Sequence, residues 1–207
     1  MSGVRGEFGP DCKNDLKRCP WVDLSKPLYV EYHDREWGVP VHDGRLWFEF
    51  LALESVQAGL SWYTVLRKRE NYREALAGFD PEAIAGFDDR RIGRLLQNPG
   101  LIRNRAKMNA IVSNARCFLE IRQEFGSFDA YIWRFVGGRP IVHEIRSAGD
   151  YPVTSPESDA LSADLRARGF RFVGSTICYA HMQATGLIND HSMDCFRRSE
   201  ILAAYPG

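Results

Sequence analysis

The sequence predicts a mainly α-helical fold in one compact unit. Apolar residues recur at helical spacing in segment after segment, and most segments open on a capping residue and close on Gly or Pro. No stretch shows a convincing strand pattern, and neither an internal repeat nor a low-complexity tract is present. A chain of 207 residues that is 44% hydrophobic and 12% aromatic is long enough to bury a substantial core.

Residues 1–17 are rich in Gly and charge, lack a hydrophobic period, and read as a flexible leader; residues 18–207 read as a single domain, with order beginning near Cys19. Leu28 to Asp34 carries a short helical pattern that Gly38 and Pro40 break. His42 or Asp43 would cap the next helix, which carries Glu54. Ser61 to about Leu76 reads as one helix with Arg67, Lys68 and Arg69 on its outer face. Asp80-Pro81-Glu82 starts a short helix, and Asp88 or Asp89 starts another that runs to about Leu96. A hairpin centred on Gly100 leads into a long helix reaching about Glu124. Ser127 caps a helix through Phe135, Gly137 to Pro152 reads as loop or short extended pieces, and Thr154 to Arg168 is helical. Ser175 to Thr185 is expected to be the last helix, closed by Gly186.

The stretch from Leu53 to Trp62 organises the rest. Leu51, Phe50 and Trp47 lie three, four and seven residues before Glu54, so helical period places this acid on the core-facing stripe. An ionised carboxylate there costs several kcal/mol unless something hydrogen-bonds to it. Gly59 ends the helix, Ser61 starts the next, and Leu60 between them projects from a tight corner. Trp62 then brings an aromatic face near the acid. A carboxylate, an aromatic plane and an exposed apolar wedge suit a flat ligand with a polar edge. The same pattern also fits a boundary residue or the partner of a core arginine, and periodicity does not choose between them.

Lys plus Arg equals Asp plus Glu at 27 each, which excludes nucleic-acid binding through a global basic excess and requires a local patch instead. The hairpin at Gly100 supplies a candidate: backbone N–H groups at the start of the following helix, with Arg103, Arg105 and Lys107 close by, can hold a phosphate without reading bases. An ordinary helical connection with a solvated basic edge fits the spacing equally. Five scattered cysteines, no signal-peptide pattern and no long apolar run lead to the expectation of a soluble cytoplasmic protein with no membrane contact. Four of the titratable residues form a metal-like set. His191 and Cys195 stand four apart, as ligands on one helical turn would, and Cys19 and His33 supply a second pair. Cys₂His₂ suits tetrahedral zinc and leaves no open position, so such a site would be structural and would clip the chain ends together. Residues of these types scattered in cores and on surfaces fit as well, since the interval from Cys19 to His33 matches no compact finger.

Together these motifs resemble the bacterial DNA-3-methyladenine glycosylase I family. The resemblance rests on Cys19-x-Trp21, on Tyr29-x2-Tyr32-His33-Asp34-x-Glu36-Trp37-Gly38, and on Leu53-Glu54-x2-Gln57-Ala58-Gly59-Leu60-Ser61-Trp62. Further along it rests on Arg69-Glu70-Asn71-Tyr72-Arg73, Gly100-Leu101-Ile102-Arg103-Asn104-Arg105, Gly169-Phe170-x-Phe172-Val173-Gly174-Ser175-Thr176-Ile177-Cys178-Tyr179 and Asn189-Asp190-His191. It runs in order from about Cys19 to Cys195. It implies a helix-hairpin-helix DNA glycosylase fold and a structural zinc on Cys19, His33, His191 and Cys195 tying the N- and C-terminal segments. It also implies that Glu54 hydrogen-bonds an extruded base, that Trp62, Tyr29, Tyr32 and Trp21 surround it, and that Leu60 fills the gap left in the duplex. The implied activity is monofunctional hydrolysis of the N-glycosidic bond of 3-methyladenine in alkylated double-stranded DNA, by a monomer, with water as nucleophile. Ser55 departs from the family pattern, where Gly is expected after the Glu. No residue stands out as the Asp that supports the oxocarbenium ion in the wider superfamily. A non-catalytic DNA-damage binding module is the competing class, and a zinc hydrolase a distant third.

Overall fold

The computed structural model describes residues 16–57 and 59–205. Most of the expected leader therefore lies outside the described residues. The carbonyl of Lys17 accepts from the backbone N–H of Phe196 at 3.0 Å, so the chain is tied to its far end already at that point. The first half of the chain forms α1 (Pro27–Arg35), α2 (Gly44–Gln57), α3 (Trp62–Leu66), α4 (Arg69–Ala75), α5 (Pro81–Ala85) and α6 (Asp89–Gln97). The second half forms α7 (Arg105–Phe125), α8 (Phe128–Ile132), β1 (Ile141–Val142), α9 (Pro156–Ala167), α10 (Ser175–Ala184), β2 (Ile188–Asn189) and α11 (Phe196–Ala204). No described helix is long and apolar enough to cross a membrane.

Side-chain caps set most helix starts where the sequence places them. Asp43 accepts from the N–H of Leu46, Asp80 from Glu82 and Ala83, Asp88 from Arg91 and Ser127 from Ala130. Replacing Asp88 by Ala removes a 2.7 Å cap bond. The loss should cost about 1 kcal/mol and lower the melting temperature by about 2–4 °C in a thermal melt.

Helix α2 is the central element, with every residue from Trp47 to Val56 buried, and it packs on α7, α8 and α10. The segment 61–76 is two helices rather than one, and its basic run is not an outer face. Arg67 is exposed, the Lys68 ammonium donates to the carbonyls of Pro99 and Gly100 at 3.2 Å, and Arg69 is turned inward. The cause is Glu49, a buried acid on α2 that accepts from Arg69 Nε at 2.5 Å and from Arg73 at 2.6 Å, while Arg69 also reaches Glu36 at 2.6 Å.

Two features were absent from the sequence reading. The stretch 137–152, expected as loop or short extended pieces, holds one such piece at Ile141 and Val142, whose parallel pairing with Ile188 and Asn189 was not expected, and α11 follows α10 as a further helix. His191 and Cys195 do not share a helical turn. They flank the bend that leads into α11, where Cys195 occupies the N-cap position. Between α10 and this region, Gly186 adopts φ +72° against the segment before α2, and a Cβ there would stand 2.3 Å from the backbone of Val39 and Pro40. That close approach lets Gly38 and Val41 donate to the carbonyls of Gln183 and Thr185, which locks the end of α10 beside the metal-like residues.

Candidate active site and metal centre

Glu54 sits near the C-terminal end of α2, 2% exposed, and its Oε2 is buried with no hydrogen-bond partner among the described residues. The role of partner to a core arginine belongs to Glu49, one and a half turns earlier. Burial alone pushes the Glu54 carboxyl up to about 8, so the acid holds its proton at neutral pH when the site has no ligand. Beyond it the corner has the expected form. Gly59 takes φ +81°, Leu60 is 39% exposed, and Ser61 accepts from the N–H of Thr64 to cap α3, whose first residue is Trp62.

Glu54 lines a cavity of about 440 Å³. Trp21, Tyr29, Tyr32 and Trp62, the four aromatic residues expected around the acid, line it too. Tyr32 and Trp62 lie 5.4 Å apart between ring centres at 49°, and Trp21 and Tyr29 lie 5.2 Å apart at 57°. At these separations and tilts the rings of each pair touch, so each pair makes one continuous aromatic wall beside the cavity. Burial, reinforced by the nearby Glu54 charge, holds the Tyr32 hydroxyl well above its ordinary value, so it remains a hydrogen-bond donor.

Cys19, His33, His191 and Cys195 converge behind this cavity. All four are buried, and their ligand atoms lie within 4.8 Å of one another, an arrangement that could hold a metal ion. Cys19 Sγ and Cys195 Sγ each stand 3.4 Å from His191 Nδ1, and Cys195 Sγ stands 3.4 Å from His33 Nε2. The outward ring nitrogens are held in turn: His33 Nδ1 lies 2.8 Å from Asp34, itself clamped by Arg18, and His191 Nε2 lies 2.9 Å from the Trp37 carbonyl. Cys19 and Cys195 act as one pair of buried sulfurs: the hydrogen bond from the Cys195 thiol, helped by those from the two histidines and opposed by burial, lowers Cys19 toward the thiolate, while the same contact and burial raise Cys195. The cluster borders the cavity, since the ring of Trp21 sits edge-on to His33 at 5.3 Å and that of Trp37 to His191 at 4.7 Å.

The hairpin before α7 departs in part from expectation. Arg103 and Arg105 are exposed, but Lys107 is 6% exposed and its ammonium donates inward to the Val56 carbonyl at 2.7 Å, so it is no part of an outward basic edge. An uncapped carbonyl at the end of α2 is what draws it in. Gly100 also has its N–H occupied, by Asn98 Oδ1 at 2.8 Å, and is not a free donor. Asn104 caps α7 through the N–H of Lys107, which leaves the N–H groups of Arg105 and Ala106 at the open first turn. The Lys107 to Val56 bond joins the start of α7 to the end of α2, bringing the hairpin and the Leu60 corner to the same side of the molecule.

Residues 21–198 match the family model described as methyladenine glycosylase. The chain belongs to that family. It is 46% identical over 192 residues to DNA-3-methyladenine glycosylase 1 of Escherichia coli (strain K12), covering 93% of this chain and 98% of that protein. A crystal structure of a 3-methyladenine DNA glycosylase I superposes with a TM-score of 0.85 at 52% identity, covering 87% of this chain and 98% of that one. The Staphylococcus aureus 3-methyladenine DNA glycosylase I, whose structure describes 3-methyladenine recognition, superposes with a TM-score of 0.85 at 37% identity, covering 88% and 97% of the two chains.

Further cavity residues in this methyladenine glycosylase family member were not singled out from sequence, among them Trp37, Gln57, Tyr151 and Gln183. Trp37 lies within the Glu36-Trp37-Gly38 motif and was legible there. Tyr151 and Gln183 arrive from the loop after β1 and from α10, and no spacing connects them to Glu54.

Proposed function

We propose that this family member excises 3-methyladenine from alkylated double-stranded DNA, by flipping the damaged nucleotide into the Glu54 cavity and hydrolysing its N-glycosidic bond. The observation that carries the reading is a buried, unpaired carboxylic acid set among aromatic walls in a cavity of about 440 Å³. Adenine methylated at N3 is a cation. Between aromatic faces such a cation gains roughly 0.5–2 kcal/mol. It also draws the proton off Glu54, converting that contact to a charge-assisted hydrogen bond. Neutral adenine forfeits both contributions.

The cationic base is already a good leaving group, so the chemistry asked of the protein is modest. Water attacks C1′, the C1′–N9 electron pair returns to the departing base and neutralises it, and the water proton passes to solvent. Among the described residues no lysine lines the cavity, which favours this monofunctional course over a covalent imine. Flipping costs a few kcal/mol. Leu60 would fill the vacated stack, while Arg103, Arg105 and the open N–H groups of α7 would hold the backbone. The protein acts as a monomer on this reading.

The Cys₂His₂ cluster fits zinc. Bonds of about 2.3 Å to sulfur and 2.0–2.1 Å to nitrogen in a tetrahedron put neighbouring S and N atoms roughly 3.6 Å apart, close to the 3.4 Å separations present. With four protein ligands the ion would supply cross-linking and no activated water.

Incubating the protein with methylated duplex DNA and separating the released bases tests the proposal. Free 3-methyladenine in solution is the expected product, whereas bound DNA with all methylated base retained would identify a binding module. Leu60→Ala should leave the affinity for free 3-methyladenine unchanged and slow release from duplex more than release from single strands; equal slowing on both would remove Leu60 from the flipping step.

A further inference from the structure

We propose that Gln183, oriented by Asp190, holds the attacking water in this site; the inference rests on the glycosylase reading above. Gln183 stands on α10, half-buried, on the cavity wall. Its Nε2 donates to Asp190 Oδ2 at 2.7 Å. Asp190 is fully buried and is met on the same oxygen by the Tyr179 hydroxyl at 2.7 Å, and on the other by His143 Nδ1 at 2.7 Å. Asp190 Oδ2 accepts from the Tyr179 hydroxyl and from the Gln183 amide together, and this pair of contacts sets which end of the amide faces it. The NH₂ end must point at Asp190, and the carbonyl end must point away, toward the cavity. Gln183 Oε1 accepts no hydrogen bond among the described residues.

Among the polar groups that line the cavity, which also include Gln57 and the tyrosine hydroxyls, Glu54 and Gln183 differ in character. Glu54 can become an anion and answers the charge of the base. Gln183 offers a neutral acceptor that neither titrates nor swings, because its other end is clamped from behind. A water molecule donates into such an acceptor and keeps a lone pair free to approach C1′. The amide takes no proton, and none is needed: the base leaves neutral, and the water proton goes to solvent as the C1′–O bond forms and the C1′–N9 bond breaks. The contribution is orientation, which is lost when the acceptor is removed. Asp190 is a positioning residue that acts through Gln183.

Gln183→Leu, with Gln183→Met as a second variant of similar size, separates this role from a contact to the base. Single-turnover excision from methylated duplex should slow by up to about 100-fold, while the dissociation constant of free 3-methyladenine, read from tryptophan fluorescence, stays within about twofold of the parent. Asp190→Asn should reproduce the slowing without weakening base binding, and should add nothing when combined with Gln183→Leu. Excision at the parental rate in whichever Gln183 variant folds with the parental melting temperature would overturn the proposal. So would a loss of base affinity in step with the rate, which would make Gln183 a contact to the base, and additive losses in the double variant would exclude Asp190. The parent protein is the control for the underlying reading: if it releases no 3-methyladenine, the glycosylase proposal fails first.

Discussion

Cys195→Ser should lower the melting temperature by about 8–16 °C. Structural zinc carries an apparent binding energy of roughly 10–16 kcal/mol, and if about 4 kcal/mol of that supports folding, each kcal/mol moves the midpoint by about 2–4 °C in a chain of this size. The leverage comes from connectivity. Cys19 and His33 precede α2, whereas His191 and Cys195 follow β2, so an ion held by all four would close nearly the whole chain into a loop and remove much of the freedom of the unfolded state. The ligands are also held from behind by Asp34 and the Trp37 carbonyl, so loss of one leaves buried polar groups unpaired. A chelator should destabilise the parent by a similar amount and leave the variant little changed. Cys117→Ser, at a half-buried position outside the cluster, is the control and should shift the midpoint far less. Purified parent protein with no zinc by atomic absorption and no response to chelator would end the structural-metal proposal.

How much of this was legible beforehand follows from how far each signal reaches along the chain. Caps are local, and Asp43, Ser61, Asp80, Asp88 and Ser127 all act where they were expected to. The four aromatic residues around Glu54 were legible as motif members, although what gathers them is α3, which packs on both α1 and α2. What sequence could not distinguish was which of two acids on α2 finds an arginine. Glu49 and Glu54 both lie on a helix buried on every side, and only the inward turn of Arg69 assigns the ion pair to the first and the free carboxyl to the second. The same non-local logic hides Lys107, whose ammonium is claimed by a carbonyl 51 positions earlier. It hides the β1–β2 pairing, whose two-residue strands carry no period. Helix α11 escaped because Ile201 is its one buried residue, too little for a stripe.

Glu54→Gln should make the protein more stable and less active at the same time. Burial raises the Glu54 carboxyl from 4.5 to about 8 in the folded protein. A group whose folded pKa lies above its unfolded value stabilises fully below the unfolded value and loses that contribution as pH rises through the folded one. Keeping Glu54 in the empty cavity thus works against folding between about pH 4.5 and 8, by about 1.4 kcal/mol for each step of one in pH. Gln carries no such liability, so the variant should gain on the parent in thermal melts by a few kcal/mol as pH climbs across that window. Excision should move the other way. The methylated base is a fixed cation in DNA, and its contact with an ionised carboxylate is the part an amide cannot reproduce. That loss is on the order of 1.5–3 kcal/mol, or roughly 10- to 100-fold in kcat/KM. In the parent, kcat/KM should also rise with pH toward about 8 as Glu54 gives up its proton, and in Glu54→Gln this limb should be flat. Stability that is unchanged by the substitution, together with an undiminished rate, would place the recognising charge elsewhere in the cavity. A more stable but inactive variant would show that the cavity accepts the thermodynamic cost of an unpaired acid in exchange for telling a charged purine from a neutral one.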